Sequence, residues 1–442
     1  GTPWCSLVLV SEARHSAHPE RGMQSPAGSC TSLKTRRCME TEKFSPMPRV
    51  GVEDSENRYS DCKLTHDVLK AKGLRTQITP DKGESDGVST ACPTDDILPV
   101  CPGRFDFCDG LVDAIEVKKS VRACMREAGE TVAPWEEAHM TFIKTLQSAE
   151  RNQGRVDLME DLKGGKFAVK KMPTKWVTKS QEEFDATYGE QTEQPWMDIA
   201  IVKYLQSRGI DYVCQHMGVF RDDLSTYVVS ALASEGDAFS WCTRGPLPCA
   251  AREGAIRPVV RQMMSGISWI HDLGIAHRDI SLENVLLHKC PDTGVLLVKI
   301  IDFGMATVSR YGEEVVGKPS YQAPEMHDEN VTRYDGYRAD AFSLGVCLYT
   351  LAAKAYPWFS TRPGHCRKFK AHSVLGFRGY LELRKVPETK TPMLDVLSPE
   401  LVGLMEALLD TNPNQRISLG ERCWDTDCQT SVWDMPWMEQ ES

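Results

Sequence analysis

His277-Arg278-Asp279-Ile280-Ser281-Leu282-Glu283-Asn284 opens a hairpin whose second strand runs into Asp302-Phe303-Gly304. An apolar run at 285–287 is followed by the turn formers Pro291, Asp292, Thr293 and Gly294, and a second apolar run covers 295–301. Short apolar runs on either side of such a turn predict a β-hairpin. In a hairpin the start of the first strand lies beside the end of the second. Asn284 and Asp302 are therefore expected at one end of the same ribbon, with Asp279 a few residues upstream. Two carboxylates and an amide oxygen there make a hard-oxygen site suited to Mg²⁺, which takes carboxylates together with substrate phosphates.

The rest of the composition narrows the field. The chain has 442 residues, enough for two or three domains, and 41% of them are apolar. A net charge of −10 argues against a general nucleic-acid binder, whose affinity rests on cationic contacts to phosphate. There are 16 cysteines, scattered and without a Cys-x-x-Cys pair, so a zinc ribbon is not expected. Residues 4–10 are too short and lack the basic flank of a signal peptide. No apolar run approaches bilayer length, so no membrane association is expected. A reducing, cytoplasmic or nuclear setting is the default. Oligomeric state is left open.

Residues 1–110 are rich in Ser, Thr, Pro, Gly and charge, and they read as a disordered extension because little apolar surface offsets ordering. Residues 111–137 read as a helical linker packing on the domain after it, with Val112, Ile115, Val121, Cys124 and Met125 roughly on one side. A compact domain is expected from 138 to 425. Strands are predicted at 140–146, 155–159 and 166–172, with Gly164-Gly165 as a tight hairpin turn between the last two. A helix begins near Pro195, and two more strands are expected at 214–220 and 226–231. Beyond these the chain turns helical, with a Met263/Met264 stripe read as core. Residues 342–353 are apolar nearly all round, as in a helix buried inside a domain. A tail at 426–442, with Trp433 and Trp437 after Trp424, is expected to dock on the domain.

A small sheet, a helical body and an acidic hairpin between them resemble the eukaryotic protein kinase superfamily, serine/threonine type, over residues 138–425. The resemblance implies an α+β, two-lobed protein-kinase-like fold, with a small β-rich N-lobe at 138–231 and a larger α-helical C-lobe at 234–425. It implies transfer of the γ-phosphate of ATP, with Mg²⁺, to protein substrates; a pseudokinase scaffold is the alternative. Phe167-Ala168-Val169-Lys170 looks like the motif whose lysine holds the α- and β-phosphates. Asp279 resembles the residue that orients the substrate hydroxyl and accepts its proton, and Asn284 and Asp302 the two metal ligands. Gly154, Val156, Ala168, Ser230, Ala231, Ala233 and Asp237 fall at nucleotide-contacting positions, with Ser230 as a small gatekeeper. Asp237 and Glu283 also hint at basic residues near the acceptor. Ala323-Pro324-Glu325 with Arg416, and Asp340, match structural positions of the family.

The pattern is broken in four places. The glycine-rich loop, 149–156, keeps only Gly154 of its three glycines. The acidic partner of Lys170 is Asp198, one methylene short, or Glu193. The catalytic-loop lysine is Ser281, while Lys318 stands where a threonine usually meets it, so Lys318 is expected to reach back and supply the ammonium. Glu313-Glu314 lie where a phosphorylated residue usually meets Arg278.

Overall fold

The computed structural model describes residues 113–149, 153–424 and 430–439. The extension expected at 1–110, the loop residues Glu150, Arg151 and Asn152, and the first tail residues, 426–429, lie outside the described residues.

The described chain begins with helix α1 (Ala114–Glu130), capped by Asp113, whose Oδ1 accepts from the Ile115 amide at 2.9 Å. Strands β1 (Ala133–Pro134), β2 (Thr141–Ala149), β3 (Gly154–Glu160) and β4 (Lys166–Pro173) come next. Helices α2 (Thr174–Val177), α3 (Gln181–Tyr188) and α4 (Pro195–Ser207) lead to β5 (His216–Arg221) and β6 (Ser225–Ala231). The strands form one sheet in the order β1-β5-β6-β4-β3-β2, antiparallel except for the β1–β5 pair. Side chains alternate along each strand, so the sheet has two unlike faces. Met159, Val169, Tyr227 and Val229 occupy one, covered by Trp135, which stacks on Tyr227 with ring centroids 3.9 Å apart. Val156, Ala168, Lys170 and Ser230 share the other, set by the pairings Val156↔Lys170 and Ala168↔Ser230.

The remainder is mainly helical. It comprises β7 (Gly236–Asp237), α5 (Ala238–Cys242), α6 (Ala250–Asp272), the hairpin β8 (Val285–Lys289) and β9 (Leu296–Ile300), and the short pair β10 (Tyr311–Gly312) and β11 (Tyr334–Asp335). Helices α7 (Gly336–Ala353), α8 (Arg367–Glu382) and α9 (Pro399–Leu408) complete it. Helix α7 is buried along its whole length, and the Met263/Met264 stripe of α6 joins the same core. A small sheet-rich lobe and a larger helical lobe result.

One expectation is corrected. The segment 111–137 is part of the core rather than a linker: α1 buries Val117, Val121, Met125 and Ala128 and packs on α4, and β1 already belongs to the sheet before residue 138. The tail docks on the domain, as expected. Trp437 is buried, with its Nε1 donating to Glu253 Oε2 at 3.2 Å, and Val432 and Met438 join the core. Gly164-Gly165 form a tight hairpin turn, as expected: the Gly164 amide donates to Asp161 O at 3.1 Å, Gly164 has φ +83°, and Asp161 Oδ1 accepts from the Lys163 and Gly165 amides at 2.9 and 2.7 Å.

Candidate active site

Helix α4 starts on Pro195, whose fixed φ suits the first helical position. Its first turn brings Asp198 against the sheet. Asp198 Oδ2 accepts from Lys170 Nζ at 2.9 Å, and its Oδ1 accepts from the Phe303 amide at 2.8 Å. One aspartate therefore ties β4, α4 and the end of the hairpin together. Lys170 Nζ also reaches Asp302 Oδ1 at 3.4 Å. Burial alone would pull the Lys170 ammonium down, but Asp198, then Asp302 and Glu193, outweigh it and hold the pKa above the ordinary lysine range. Asp198 is the contact partner, while the buried Glu193 acts through its field. The shorter side chain suffices because α4 sits close, with the Gln194 amide donating to Gly304 O at 2.8 Å.

The catalytic-loop backbone is held from beneath by Asp340 on α7. Its Oδ2 accepts from the His277 amide and its Oδ1 from the Arg278 amide, both at 2.8 Å. Arg278 has φ +64° and Asp302 φ +67°, conformations that non-glycine residues rarely adopt and that the surroundings must enforce. Asp340 is itself fixed by His271, whose Nε2 lies 3.0 Å from Oδ2 while Nδ1 lies 2.7 Å from Glu421 Oε1. The buried His277 ring lies 4.8 Å from the Phe303 ring, and its Nε2 is 3.1 Å from Ile301 O.

Around Asp279 a second network forms. Asn284 Nδ2 donates to Asp279 O at 2.8 Å and to its Oδ2 at 3.2 Å; the Lys318 amide donates to Oδ1 at 3.0 Å. Lys318 Nζ lies 2.5 Å from Ser281 Oγ and 3.4 Å from Asn284 Oδ1. The two networks meet through the hairpin, where the Ile301 amide donates to Asn284 O at 3.0 Å and Val285 pairs with Ile300. In the segment after Asp302, Glu314 Oε2 pairs with Arg278 at 2.8 Å, and this hydrogen bond lowers the Glu314 pKa. Glu313 turns instead to Arg333, at 3.5 Å. The segment ends on Glu325, held by a buried two-point pair with Arg416 at 2.7 and 2.9 Å.

The other expected positions surround these networks or stand apart from them. Val156, Ala168 and Ser230 lie on the Lys170 face of the sheet; Ala231, in register with Phe167, lies on the opposite face, and its amide donates to Gln215 O at 2.8 Å. Ala233 is buried just past β6. Gly154 has a packing reason to be glycine: a Cβ there would stand 2.1 Å from Lys171 O. Asp237 caps α5, accepting from the Ser240 amide at 2.7 Å and from Ser240 Oγ at 2.9 Å. Glu283 accepts from the Tyr321 and Tyr356 hydroxyls, both at 3.3 Å. Sequence reasoning missed Gly317, φ +85°, where a Cβ would meet Arg278 O at 2.6 Å. Its only signal was its place directly before Lys318.

A sheet-rich lobe over a helical one, with a lysine–carboxylate network beside an Asp/Asn hairpin, defines a two-lobed kinase-type domain. A family model for the protein kinase domain matches residues 152–437. Among curated relatives, CBL-interacting serine/threonine-protein kinase 13 of Arabidopsis thaliana is 33% identical over 218 residues, covering 48% of this chain and 38% of that protein. Serine/threonine-protein kinase cds1 of Schizosaccharomyces pombe is 26% identical over 359 residues, 79% of this chain and 67% of that protein. Serine/threonine-protein kinase SAPK3 of Oryza sativa subsp. japonica is 37% identical over 200 residues, 44% of this chain and 54% of that protein. This chain belongs to the protein kinase family, although it spans only 38% and 54% of the length of two of these relatives.

Proposed function

We propose that this protein transfers the γ-phosphoryl group of Mg-ATP to serine and threonine hydroxyls of protein substrates. The observation that carries this reading is the joining, within one hairpin, of the Lys170–Asp198–Asp302 network to the Asp279–Asn284 pair. In the reaction a substrate hydroxyl oxygen bonds to the γ-phosphorus while the bond to the bridging oxygen breaks. ADP leaves with the electron pair, and the hydroxyl proton passes to Asp279. Phosphoryl transfer asks a protein mainly for positioning and positive charge. Lys170 would hold the non-transferred phosphates. Val156, Ala168 and Ser230, on its face of the sheet, would line the adenine side with Ala233, while Gly154 lies at the loop over the phosphates.

The donor chemistry suits a hard divalent ion. Asn284 Nδ2 is engaged by Asp279, which leaves its Oδ1 as the ligand atom, and Asp302 offers a carboxylate. Among the described residues no group of three or more His, Cys, Asp or Glu could hold a metal unaided, so substrate phosphates would complete the shell. Such an ion, when bound, would supply positive charge that offsets that of the phosphates.

Glu283 supports a preference for Arg or Lys near the acceptor, as an acid beside the catalytic loop. Among the described residues no helix is long and apolar enough to cross a membrane. We place the protein in the cytoplasm or nucleus, where ATP and protein substrates are available.

The test compares wild type with Asp279→Asn on a Ser/Thr peptide library with Mg-ATP. Loss of a general base costs roughly 10²–10⁴-fold, so the variant should lose at least about 100-fold in kcat. Equal transfer by both proteins, or transfer by neither, would sink the proposal; the second result favours a scaffold.

A further inference from the structure

Resting on that reading, we infer that Lys318 is the ammonium that faces the transferring phosphoryl group beside Asp279. It is carried by the segment 302–325 and not by the catalytic loop. On the Asp279 side, the site's positive charge is therefore delivered only when that segment is in place.

Three observations carry this. The first is the distribution of cations. Lys170 is occupied at one end of the acid cluster by Asp198 and Asp302. Arg278 faces away from Asp279's carboxylate, with Nε donating to Met305 O at 2.8 Å and NH1 paired with Glu314. On the Asp279 side the ammonium is that of Lys318. Its nearest partners are the neutral Ser281 hydroxyl and the Asn284 amide oxygen, and the Glu283 carboxylate stands back at 4.0 Å. The Lys318 side chain keeps 30% of its surface exposed, so its charge stays open to an anion.

The second is the closeness of the two loops. The Lys318 amide donates to Asp279 Oδ1 at 3.0 Å, and Gly317 leaves no room for a Cβ against the Arg278 carbonyl. The Lys318 backbone and side chain are registered to Asp279 by the same approach.

The third is how the segment is fastened on both sides of Lys318. Before it, β10 pairs with β11, Glu314 pairs with Arg278, and the Tyr334 hydroxyl donates to Glu314 O at 2.9 Å. After it, Gln322 Nε2 donates to Val316 O and Gly317 O at 3.1 and 3.0 Å. A carboxylate already sits on Arg278, so the segment is held without an added phosphate.

During transfer, as the new bond to phosphorus forms and the old one breaks, negative charge on the peripheral oxygens would face Lys318. The lysine keeps its proton throughout and takes no part in bond making.

The experiment uses the full chain and three changes. Lys318→Met should lower kcat about 10²–10³-fold, the usual cost of one preorganised charge donor, with the KM for ATP within about threefold. It should also weaken binding of ADP plus aluminium fluoride, a mimic of the transferring group, by at least about 30-fold while ADP alone binds as in wild type. Returning the cation to the catalytic loop, in the double variant Ser281→Lys/Lys318→Thr, should restore kcat to within about tenfold of wild type. Glu314→Ala should then lower kcat at least about tenfold in wild type but less than about threefold in the double variant, whose cation no longer rides on the segment.

Near-normal turnover by Lys318→Met would overturn the inference while leaving the kinase reading intact, provided Asp279→Asn is dead. Equal effects of Glu314→Ala in both backgrounds would overturn the dependence on the segment. If the double variant melts early, the aluminium fluoride measurement on Lys318→Met decides the role of Lys318 alone. An inactive wild type removes the functional reading, and this inference with it.

Discussion

Replacing His271 with Gln should flatten the alkaline limb of the protein's stability. His271 is fully buried between Asp340 and Glu421 and stacks on the Tyr337 ring at 4.1 Å. Burial by itself would favour the neutral ring. The hydrogen bonds to Asp340 and Glu421 outweigh it and lift the imidazolium from 6.5 to about 9. A rise of that size corresponds to about 3 kcal/mol of stabilisation. Because the folded-state value is the higher one, the contribution is complete below pH 6.5 and fades as pH climbs through about 9. In that window unfolding releases the proton, so wild type should lose about 1.4 kcal/mol per pH unit through this group. Glutamine keeps a polar contact but does not titrate. Urea denaturation of both proteins at several pH values between 6 and 10 reads the difference directly. The variant should be less stable at pH 6.5, and the gap should narrow by about 3 kcal/mol toward pH 9.5. Parallel pH dependences would refute the charged-histidine argument. The consequence reaches the active site, because the same Asp340 holds the His277 and Arg278 amides.

Two further outcomes are expected. Arg416→Met should cost about 3–5 kcal/mol in chemical denaturation, because it leaves the Glu325 carboxylate buried without its partner. Gly317→Ala should cost about 1–3 kcal/mol, since its φ of +85° and the Arg278 carbonyl both oppose a Cβ. Steady-state kinetics should then find kcat reduced more than the KM for ATP, because the displaced atoms are those of Asp279 and Lys318.

The hairpin was legible from its punctuation alone. Two apolar runs around Pro291-Asp292-Thr293-Gly294 set which residues stand at the ribbon's end, and pairing obeys that arithmetic. Which of Val156, Ala168, Lys170 and Ser230 share a face was not legible, because it depends on the register between strands, and that register puts Ala231 on the opposite face. The partner of Lys170 was legible only as a choice between Asp198 and Glu193. Whether an aspartate reaches depends on how closely α4 approaches the sheet, and that distance is set by packing far along the chain. The docking of α1 and of Trp437 was expected, but what each docks against was not legible. Periodicity says that a face must be covered, but not by what. The left-handed backbone at Arg278 and Asp302 has no local signature, because Asp340, Asp198 and their neighbours impose it from elsewhere.

Helix α1 touches both halves of the domain. One side lies along α4, where Lys203 reaches Glu127 at 3.2 Å, and Val117 also packs against Gly274, in the turn that closes α6. It thus meets the helix that carries Asp198 and the body that carries the catalytic loop. Loss of the α1 packing would leave α4, and with it the Asp198 carboxylate that pairs with Lys170, without support on that side.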